Sequence, residues 1–499
     1  MPKHRLPDVH MKVALVVDNP YRDLPGLVLT AMRLCQYGIT CYLVPMNLRE
    51  IEIWSLVPDF VLLNYLRINN QEFARELMTA GIQVGVLDTE GGVLTSLDSY
   101  EKTMASDAFI RHGISCFCTW GNILARSAVT RDWYAQSQVC ITGTPRFDFY
   151  HNLWREAALR NSTYVDDIPR PIVLVNGNFP LANPKFRTPE QEVRMYVQDL
   201  GYEEEKILAL QQSQTETMMQ MIELTNQLVA RFPKVSLVYR PHPFENVERY
   251  KTLIDSRDNL RLVKRGTVDG WILRASAVIQ RSCSTAIEAG LAGVPAFSPK
   301  WIPVALEMEN AESVSISCMS LLELEQALEK IFNNCYQIPG NIKTNLDAVV
   351  SNWFNTIDGM AHERVAETIM SVIGTGKPHI SLAHCRKGAY GLLNSKIDVP
   401  MRLNATARRF LGIPTGWSFR HWKMITEHKW DRSEKYFGVS MVKELVEAIQ
   451  PIARNLNPNF GAVSVYLAQE RDDYKFGYCQ GRAVVLKSSN LPGGSIAPR

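Results

Sequence analysis

What the sequence lacks narrows it first. Nowhere in its 499 residues is there an apolar run of the roughly 18 residues needed to cross a bilayer. The opening MPKHRLPDVH is polar, and the apolar stretch in MKVALVVDNPYRDL is shorter than a secretion signal requires, so a cytoplasmic protein is expected. A formal net charge of +3 sets up no field that would draw nucleic acid, and no nucleic-acid partner is expected. No CxxC pair finds a second pair, which speaks against structural zinc. Of the ten cysteines, several (Cys35, Cys41, Cys116, Cys118) lie inside apolar runs, as buried reduced thiols do. There is also no internal repeat.

What is present is alternation. KVALVVD, ITCYLVP, DFVLLNYL, IQVGVLD, ISCFCTWG and SQVCITGTP read as strands, separated by helix-like stretches such as LPGLVLTAMRLCQYG and NQEFARELMTAG. Strands with near-continuous apolar cores alternating with helices predict a parallel sheet covered on both faces. The polar RNSTYVDDIPRP interrupts this pattern, and a second series follows: IVLVNGN, a long charged helix, KVSLVYR, NLRLVKR, AVIQR, STAIEAGLAG and VPAFS. We therefore expect an α/β protein of two Rossmann-like domains, residues 1–160 and 170–340, facing a central cleft. A longer helical segment ending at RHG is expected after IQVGVLD, and residues 341–374, with NLDAVVSNWFNTIDGMAHERVAETIMSVIG read as helix, are expected to form returning helices. A mixed extension is expected over 375–499, with a disordered tail.

The most constrained polar residues sit in VYRPHPFEN. Two prolines hold Arg240 and His242 extended where a strand ends, and a guanidinium fork with an imidazole N–H suits a phosphate. A surface ion pair and a satisfied loop histidine are the plain alternative. Farther on, VIQRSCSTAIEAGLAGVP sets Ser282, Ser284 and Thr285 before a helix that carries Glu288. Hydroxyls and unpaired N–H groups at a helix start attract anions, although capping alone would also explain a serine or two. In VNGNFP, Asn176, Gly177 and Asn178 follow the first strand of the second half, where a loop can approach a phosphate.

TGTPRFD, YRPHP and RSCSTAIEAGLAGVP, in that order on two Rossmann-like halves, resemble the GT-B superfamily of sugar-nucleotide enzymes. More narrowly they resemble the bacterial surface carbohydrate biosynthesis proteins, with HP and serine-rich motifs like those of sialyltransferases and Kdo transferases. The resemblance spans roughly residues 12–370. It implies a nucleotide-sugar donor, CMP-linked by preference and UDP-linked as the alternative. Arg240, His242, Pro243, Ser282, Ser284 and Thr285 would lie at the phosphate, Glu288 at the ribose, and Asn176, Gly177 and Asn178 beside them.

VGVLDTEGG ends a first-half strand with Asp88 and Glu90, followed by Gly91 and Gly92. A carboxylate there can serve as general base toward an acceptor hydroxyl. In sialyltransferase-like relatives a paired acidic motif before glycine has that role. Here Thr89 separates the two acids, and Asp88 could substitute for Glu90; simple helix capping is the alternative. Asp18 and Asn19 after the first strand form a weaker acceptor-side loop, with Gly26 nearby. Arg146 and Asp148 are expected to pair internally, and Asp358 and His362 to be structural.

No DxD-type motif stands beside a donor strand, so neither metal nor other cofactor is expected, and His242 itself would help stabilise the leaving group. Met401–Phe437 carries Trp417, Trp422 and Trp430 among eight Lys/Arg and three Asp/Glu, a composition suited to peripheral contact with the inner membrane or to an anionic glycan, unless the tryptophans form a small core. The expected activity is transfer of a sugar to a surface polysaccharide or lipid-linked glycan acceptor. A sugar-nucleotide 2-epimerase and a non-catalytic nucleotide-binding scaffold of capsule or O-antigen assembly are the rivals.

Overall fold

A computed structural model describes residues 11–92, 96–198, 202–374, 378–389, 435–471, 473–476 and 482–489, with positions 376 and 393. The basic, tryptophan-bearing stretch over 401–434 and the tail over 490–499 lie outside the described residues. The chain divides into two compact units: the first is built from residues up to 157 and from 351 onward, the second from 158–350. The crossings thus fall at 157–158 and 350–351, where the sequence suggested 160–170 and 340–341. None of the described helices is long and apolar enough to cross a membrane.

In the first unit β1 (Lys12–Val17), β2 (Thr40–Pro45), β3 (Phe60–Leu63), β4 (Gln83–Leu87), β5 (Cys116–Thr119) and β6 (Val139–Ile141) follow the apolar runs of the sequence. They pair in parallel in the order β2-β1-β3-β4-β5-β6. The first five are buried on both faces, as strands covered by crossover helices must be; β6, at the edge, is half exposed. Chain direction across the sheet reverses between β1 and β3, so the loops at their carboxyl ends part there and leave room for a ligand.

The second unit contains β7 (Ile172–Asn176), β8 (Ser236–Arg240), β9 (Leu260–Leu262), β10 (Ala277–Ile279), β11 (Ala296–Pro299) and β12 (Ile316–Cys318). All neighbours are parallel, in the order β12-β11-β10-β7-β8-β9. In local numbering this is the Rossmann order 3-2-1-4-5-6, with its reversal between β7 and β10. Val175, Met218, Leu228, Tyr239, Tyr250 and Phe297 belong to one buried cluster that fixes these strands against the helix Glu204–Arg231.

Three expectations change. The helix after β4 is two short ones, Leu97–Thr103 and Ala108–Gly113, because Ser96 and Asp107 each cap a new start. The charged helix is also two, Pro189–Gln198 and Glu204–Arg231. The stretch NLDAVV to SVIG does not run through: Asn355 (φ 63°) and Gly359 (φ 75°) turn the chain before Ala361–Ile373 begins. Asp148 supplies that new start, accepting the N–H groups of Ala361 (3.0 Å) and His362 (2.9 Å) and facing the His362 ring at 2.8 Å. Asp148 therefore pairs with His362, while the Arg146 guanidinium lies over the rings of Trp120 and Phe147.

The extension returns to the first unit. β13 (Val463–Leu467) and β14 (Val484–Ser488) form an antiparallel pair, and β14 joins the free edge of β2. The helix Val439–Leu456 buries Val442, Leu445, Ile449 and Ile452.

Candidate functional site

In the second unit, three loops meet at the carboxyl ends of β10, β7 and β8. Asn176 Nδ2 donates to Thr285 Oγ1 at 3.0 Å, and Asn178 Nδ2 donates to the Ser282 carbonyl at 3.2 Å. These bonds span the reversal between β7 and β10, where Rossmann sheets bind ligands. The Gly177 N–H donates to the Arg240 carbonyl at 2.9 Å, which draws the β7 and β8 loops together. A Cβ on Gly177 would stand 3.2 Å from Glu245 Oε2, so even a methyl group would crowd the loop.

Ser282 is spent on structure. It holds φ 56°, rare for a non-glycine residue. Its N–H donates to Glu312 (2.7 Å), and its hydroxyl donates to the Leu306 carbonyl (3.0 Å) and accepts from the Met308 N–H (2.6 Å). Glu312 also accepts from the Ser298 hydroxyl (2.7 Å) and pairs with Arg281 (2.9 Å) and Lys300 (2.6 Å). Burial alone would raise its pKa, but these donors and cations bring it below the usual carboxylate range. The serine-rich turn is thus fixed from beneath. Ser284 stands at the head of the helix Thr285–Ala292 and its hydroxyl makes no capping bond, contrary to the simple capping alternative. At the start of that helix the Ala286 and Ile287 N–H groups donate to the Cys283 and Ser284 carbonyls at 3.1 and 3.0 Å, and the dipole adds partial positive charge there. Glu288, buried in the first turn, is 6% exposed.

The RPHP stretch splits into two roles. The Arg240 fork is not a surface ion pair: it is buried and donates to the carbonyls of Arg265 (3.1 Å) and Gly266 (2.7 Å), tying β8 to the loop after β9. These two bonds give it a positioning role in the loop. His242 Nδ1 accepts the Phe244 N–H at 3.2 Å, which leaves the proton of the neutral ring on Nε2 and makes that nitrogen a donor. Pro243 holds this turn between them. Glu245, fully buried, accepts from the Phe179 N–H (2.6 Å) and from the Tyr250 hydroxyl. Burial outweighs those bonds and pushes its pKa up to about 7. Glu245 and Glu312, which fasten the loops after β7 and β10, were missed as supports. Glu245 was visible two residues beyond the HP pair, whereas nothing local marked Glu312.

The first unit gathers charge instead. Glu90 pairs with Arg67 at 2.7 Å and keeps nearly half its side chain (47%) exposed. Burial pushes its pKa upward, but Arg67 and Arg22 prevail and hold it below the ordinary value. Asp88 is 2% exposed. It accepts from the Tyr100 hydroxyl (2.9 Å) and the Glu90 N–H (2.9 Å), and burial drives its pKa up in spite of Arg67. Asp88 therefore shapes the turn, and Glu90 is the carboxylate within reach. Asp18 pairs with Arg22 at 2.7 Å and with Lys435 at 2.6 Å. Asn19 makes a turn, its side chain accepting from Tyr21 N–H at 3.0 Å.

The glycines here answer to packing. A Cβ on Gly92 would lie 2.6 Å from Phe354 and 2.7 Å from Trp120, and one on Gly91 would lie 3.2 Å from Trp120. Gly26 lets its helix approach the backbone of Arg146, 2.7 Å from where a Cβ would be, and so serves that contact. Beside them Asn64, Asp88, Thr89 and Trp120 line a recess of about 30 Å³, room for roughly one or two waters. Asn64 Oδ1 and Trp120 Nε1 have no protein partner there.

No protein-family model matches the chain, and no curated protein matches it by sequence. Solved structures are similar to it at low identity. A UDP-N-acetylglucosamine 2-epimerase assigned as putative, from Listeria monocytogenes, is 13% identical, covering 75% of this chain and 100% of that one, with a TM-score of 0.47. The Methanocaldococcus jannaschii UDP-GlcNAc 2-epimerase is 12% identical over 73% and 100%, at 0.47. The wall teichoic acid polymerase TagF is 10% identical over 72% and 88%, at 0.45. Likenesses at TM-scores below 0.5 do not specify chemistry. The residues have to do that.

Proposed function

We propose that the second unit binds the diphosphate or phosphate of a nucleotide-activated sugar, and that the protein is a GT-B-like glycosyltransferase acting without a metal ion. The observation that carries this is the meeting of Asn176–Asn178, His242 and the helix start at Ser284 on one side of a Rossmann-ordered sheet, at its reversal. Departure of a nucleotide leaves negative charge on phosphate, and the His242 Nε2–H, the Ser284 hydroxyl and the positive end of the helix dipole are suited to that charge, while Thr285, which accepts from Asn176 and donates to Cys283, shapes the loop. Glu288 takes the ribose, and the first unit receives the glycan or lipid-linked acceptor. Glu90 accepts the acceptor's proton. Because Arg67 and Arg22 depress its basicity, the acceptor must loosen that pairing for the proton to move at neutral pH.

The test is a thermal-shift panel of CMP, UDP, GDP and CDP species on the wild type and on His242→Ala. A ligand bound only by the folded state raises its stability by mass action. One nucleotide should stabilise the wild type strongly and the variant weakly. Turnover that disappears with EDTA, or that survives both Glu90→Ala and His242→Ala, contradicts the mechanism.

One observation favours the epimerase reading. Asp88 and Glu90 stand on one cation, Arg67, at 3.5 and 2.7 Å, so two carboxylates in unlike surroundings, one buried and one half exposed, are held together as an acid and a base acting on one sugar would be. An epimerase converts the sugar nucleotide with no acceptor present, whereas the transferase needs one. Binding of a nucleotide without turnover across donors and acceptors would support the scaffold.

A further inference from the structure

Three neighbouring strands of the first unit each set a polar residue just past their carboxyl ends: Asn64 after β3, Asp88 after β4 and Trp120 after β5. The Thr89 N–H donates to the Asn64 carbonyl at 3.0 Å, which ties the turn over Asp88–Gly92 to the end of β3. The two glycines of that turn lie against the indole. A Cβ on Gly92 would meet Trp120 Cε3, on the benzene ring, at 2.7 Å, whereas one on Gly91 would meet Nε1 at 3.3 Å. Neither glycine has a positive φ, so the pair provides clearance and not backbone freedom.

Two polar atoms are left over beneath this turn. Trp120 is 1% and Asn64 2% exposed, yet Trp120 Nε1 and Asn64 Oδ1 have no hydrogen-bond partner in the protein. A buried indole N–H usually finds a partner, and leaving a donor and an acceptor unmet is unfavourable. Both side chains are nevertheless fixed. Phe147 meets the indole edge-on with ring centres 5.9 Å apart, the Arg146 guanidinium lies 5.1 Å from the ring centre, and Asn64 Nδ2 donates to Met46 Sδ at 3.2 Å.

Both residues line the recess of about 30 Å³, and its other walls select the group that could meet them. Asp23 and Asp88 disfavour an anion there, while Arg146 and the indole N–H disfavour a cation. A neutral group that takes one hydrogen bond and gives another is an alcohol or an amide. Room for about two water-sized atoms is too little for a substituted amide. It suffices for a hydroxymethyl group, whose methylene would meet Leu62, Leu63 and Leu87.

We propose that this recess is the subsite for a primary hydroxyl of the acceptor, with the Trp120 Nε1–H donating to its oxygen and the hydroxyl donating to Asn64 Oδ1. Because that proton goes to Asn64, the group anchors the acceptor and a different hydroxyl reacts. Gly91, next to Glu90, keeps the indole N–H uncovered, so the anchor stands beside the carboxylate's turn. The proposal rests on the reading of the first unit as the acceptor side, and its readout does not depend on turnover.

The experiment is a ¹H–¹⁵N titration of the indole resonances in the full chain, with the Trp120 peak assigned by Trp120→Phe or by its displacement in Gly91→Ala. The probes are glycerol and the methyl glycosides of glucose, galactose and mannose, each glycoside beside its 6-deoxy counterpart. At least one probe with a primary hydroxyl should shift the Trp120 peak saturably, and its 6-deoxy form should not. Asn64→Leu should abolish the shift; Gly91→Ala, which sets a methyl group beside Nε1, should do the same and decides the matter should Asn64→Leu fail to fold. A Trp120 peak that no alcohol moves means that the recess takes water alone and overturns the proposal, as does a shift that survives these variants or that the 6-deoxy sugars match. Once a donor and acceptor are known, Trp120→Phe should raise the acceptor KM about tenfold, as loss of one hydrogen bond does, and leave the donor KM unchanged. Saturable binding with no pair turned over would end the transferase reading and leave the subsite standing, whereas turnover with an unmoved Trp120 peak does the reverse.

Discussion

The carboxyl ends of the two sheets do different things with the same residue types. In the second unit the cations are buried under the loops: Arg240 holds carbonyls, and Arg281 and Lys300 hold Glu312. On those loops stand a neutral imidazole, the Ser284 hydroxyl and a helix start. In the first unit the charges are themselves at the site, with Arg22, Arg67 and Lys435 interleaved among carboxylates. A rigid array of neutral donors suits an anion that arrives with its own charge. Interleaved ion pairs suit a neutral hydroxyl whose proton must move, because small rearrangements change which carboxylate is basic.

The largest expected effect lies under the second site. Glu312→Ala leaves the buried Ser282 N–H and Ser298 hydroxyl without their acceptor, while Arg281 keeps Glu307 at 2.7 Å, and should cost about 4 kcal/mol, seen as faster native-state hydrogen exchange in β10 and β11. Next is pH. Glu245 is at about 7 in the fold against an ordinary 4.5, so the fold prefers its protonated form. The stability this gives is complete below about pH 4.5 and is lost as pH rises through 7, at most about 3 kcal/mol. Glu245→Gln should flatten the unfolding free energy over that window, and an unflattened curve would mean that another group carries it.

In the first unit, Gly92→Ala drives a methyl group into Phe354 and Trp120 and should cost about 1–3 kcal/mol in urea unfolding. A cost near zero would return Gly92 to a ligand-facing role. The smallest change in stability belongs to His242→Ala, within about 0.5 kcal/mol for a half-exposed loop residue. Its nucleotide affinity should fall about tenfold by calorimetry, the worth of one hydrogen bond to a charged group.

Much of the architecture was legible because parallel strands are buried on both faces and so read as unbroken apolar runs. β1–β5, β7, β8, β10 and β11 follow such runs closely. β12, β13 and β14 were not recognised: Ile316–Cys318 is three residues long, and the other two lie in a region where Pro, Gly and Trp conceal the alternation in AVSVYL and AVVLKS. Helix breaks were missed where a side chain from far away caps a new start, as Asp148 does for Ala361 across 213 positions. At the sites, sequence found the loops but not the division of labour within them. His242 and Arg240 are two residues apart, yet one accepts the Phe244 N–H and the other grips carbonyls. Only the fold reveals Glu312, Arg67 and Lys435 beside the motifs they support, since their partners are 30, 23 and 417 positions away.

The measurement that goes most directly to the contrast is hydrogen exchange of the full chain with and without the nucleotide selected by the thermal-shift panel. Protection should appear in Asn176–Asn178 and Ser284–Ile287, with the amides of Asp18–Asp23 and Asp88–Gly92 unchanged. Protection confined to the first unit, with the loops of β7 and β10 unaffected, would contradict the assignment of the nucleotide to the second.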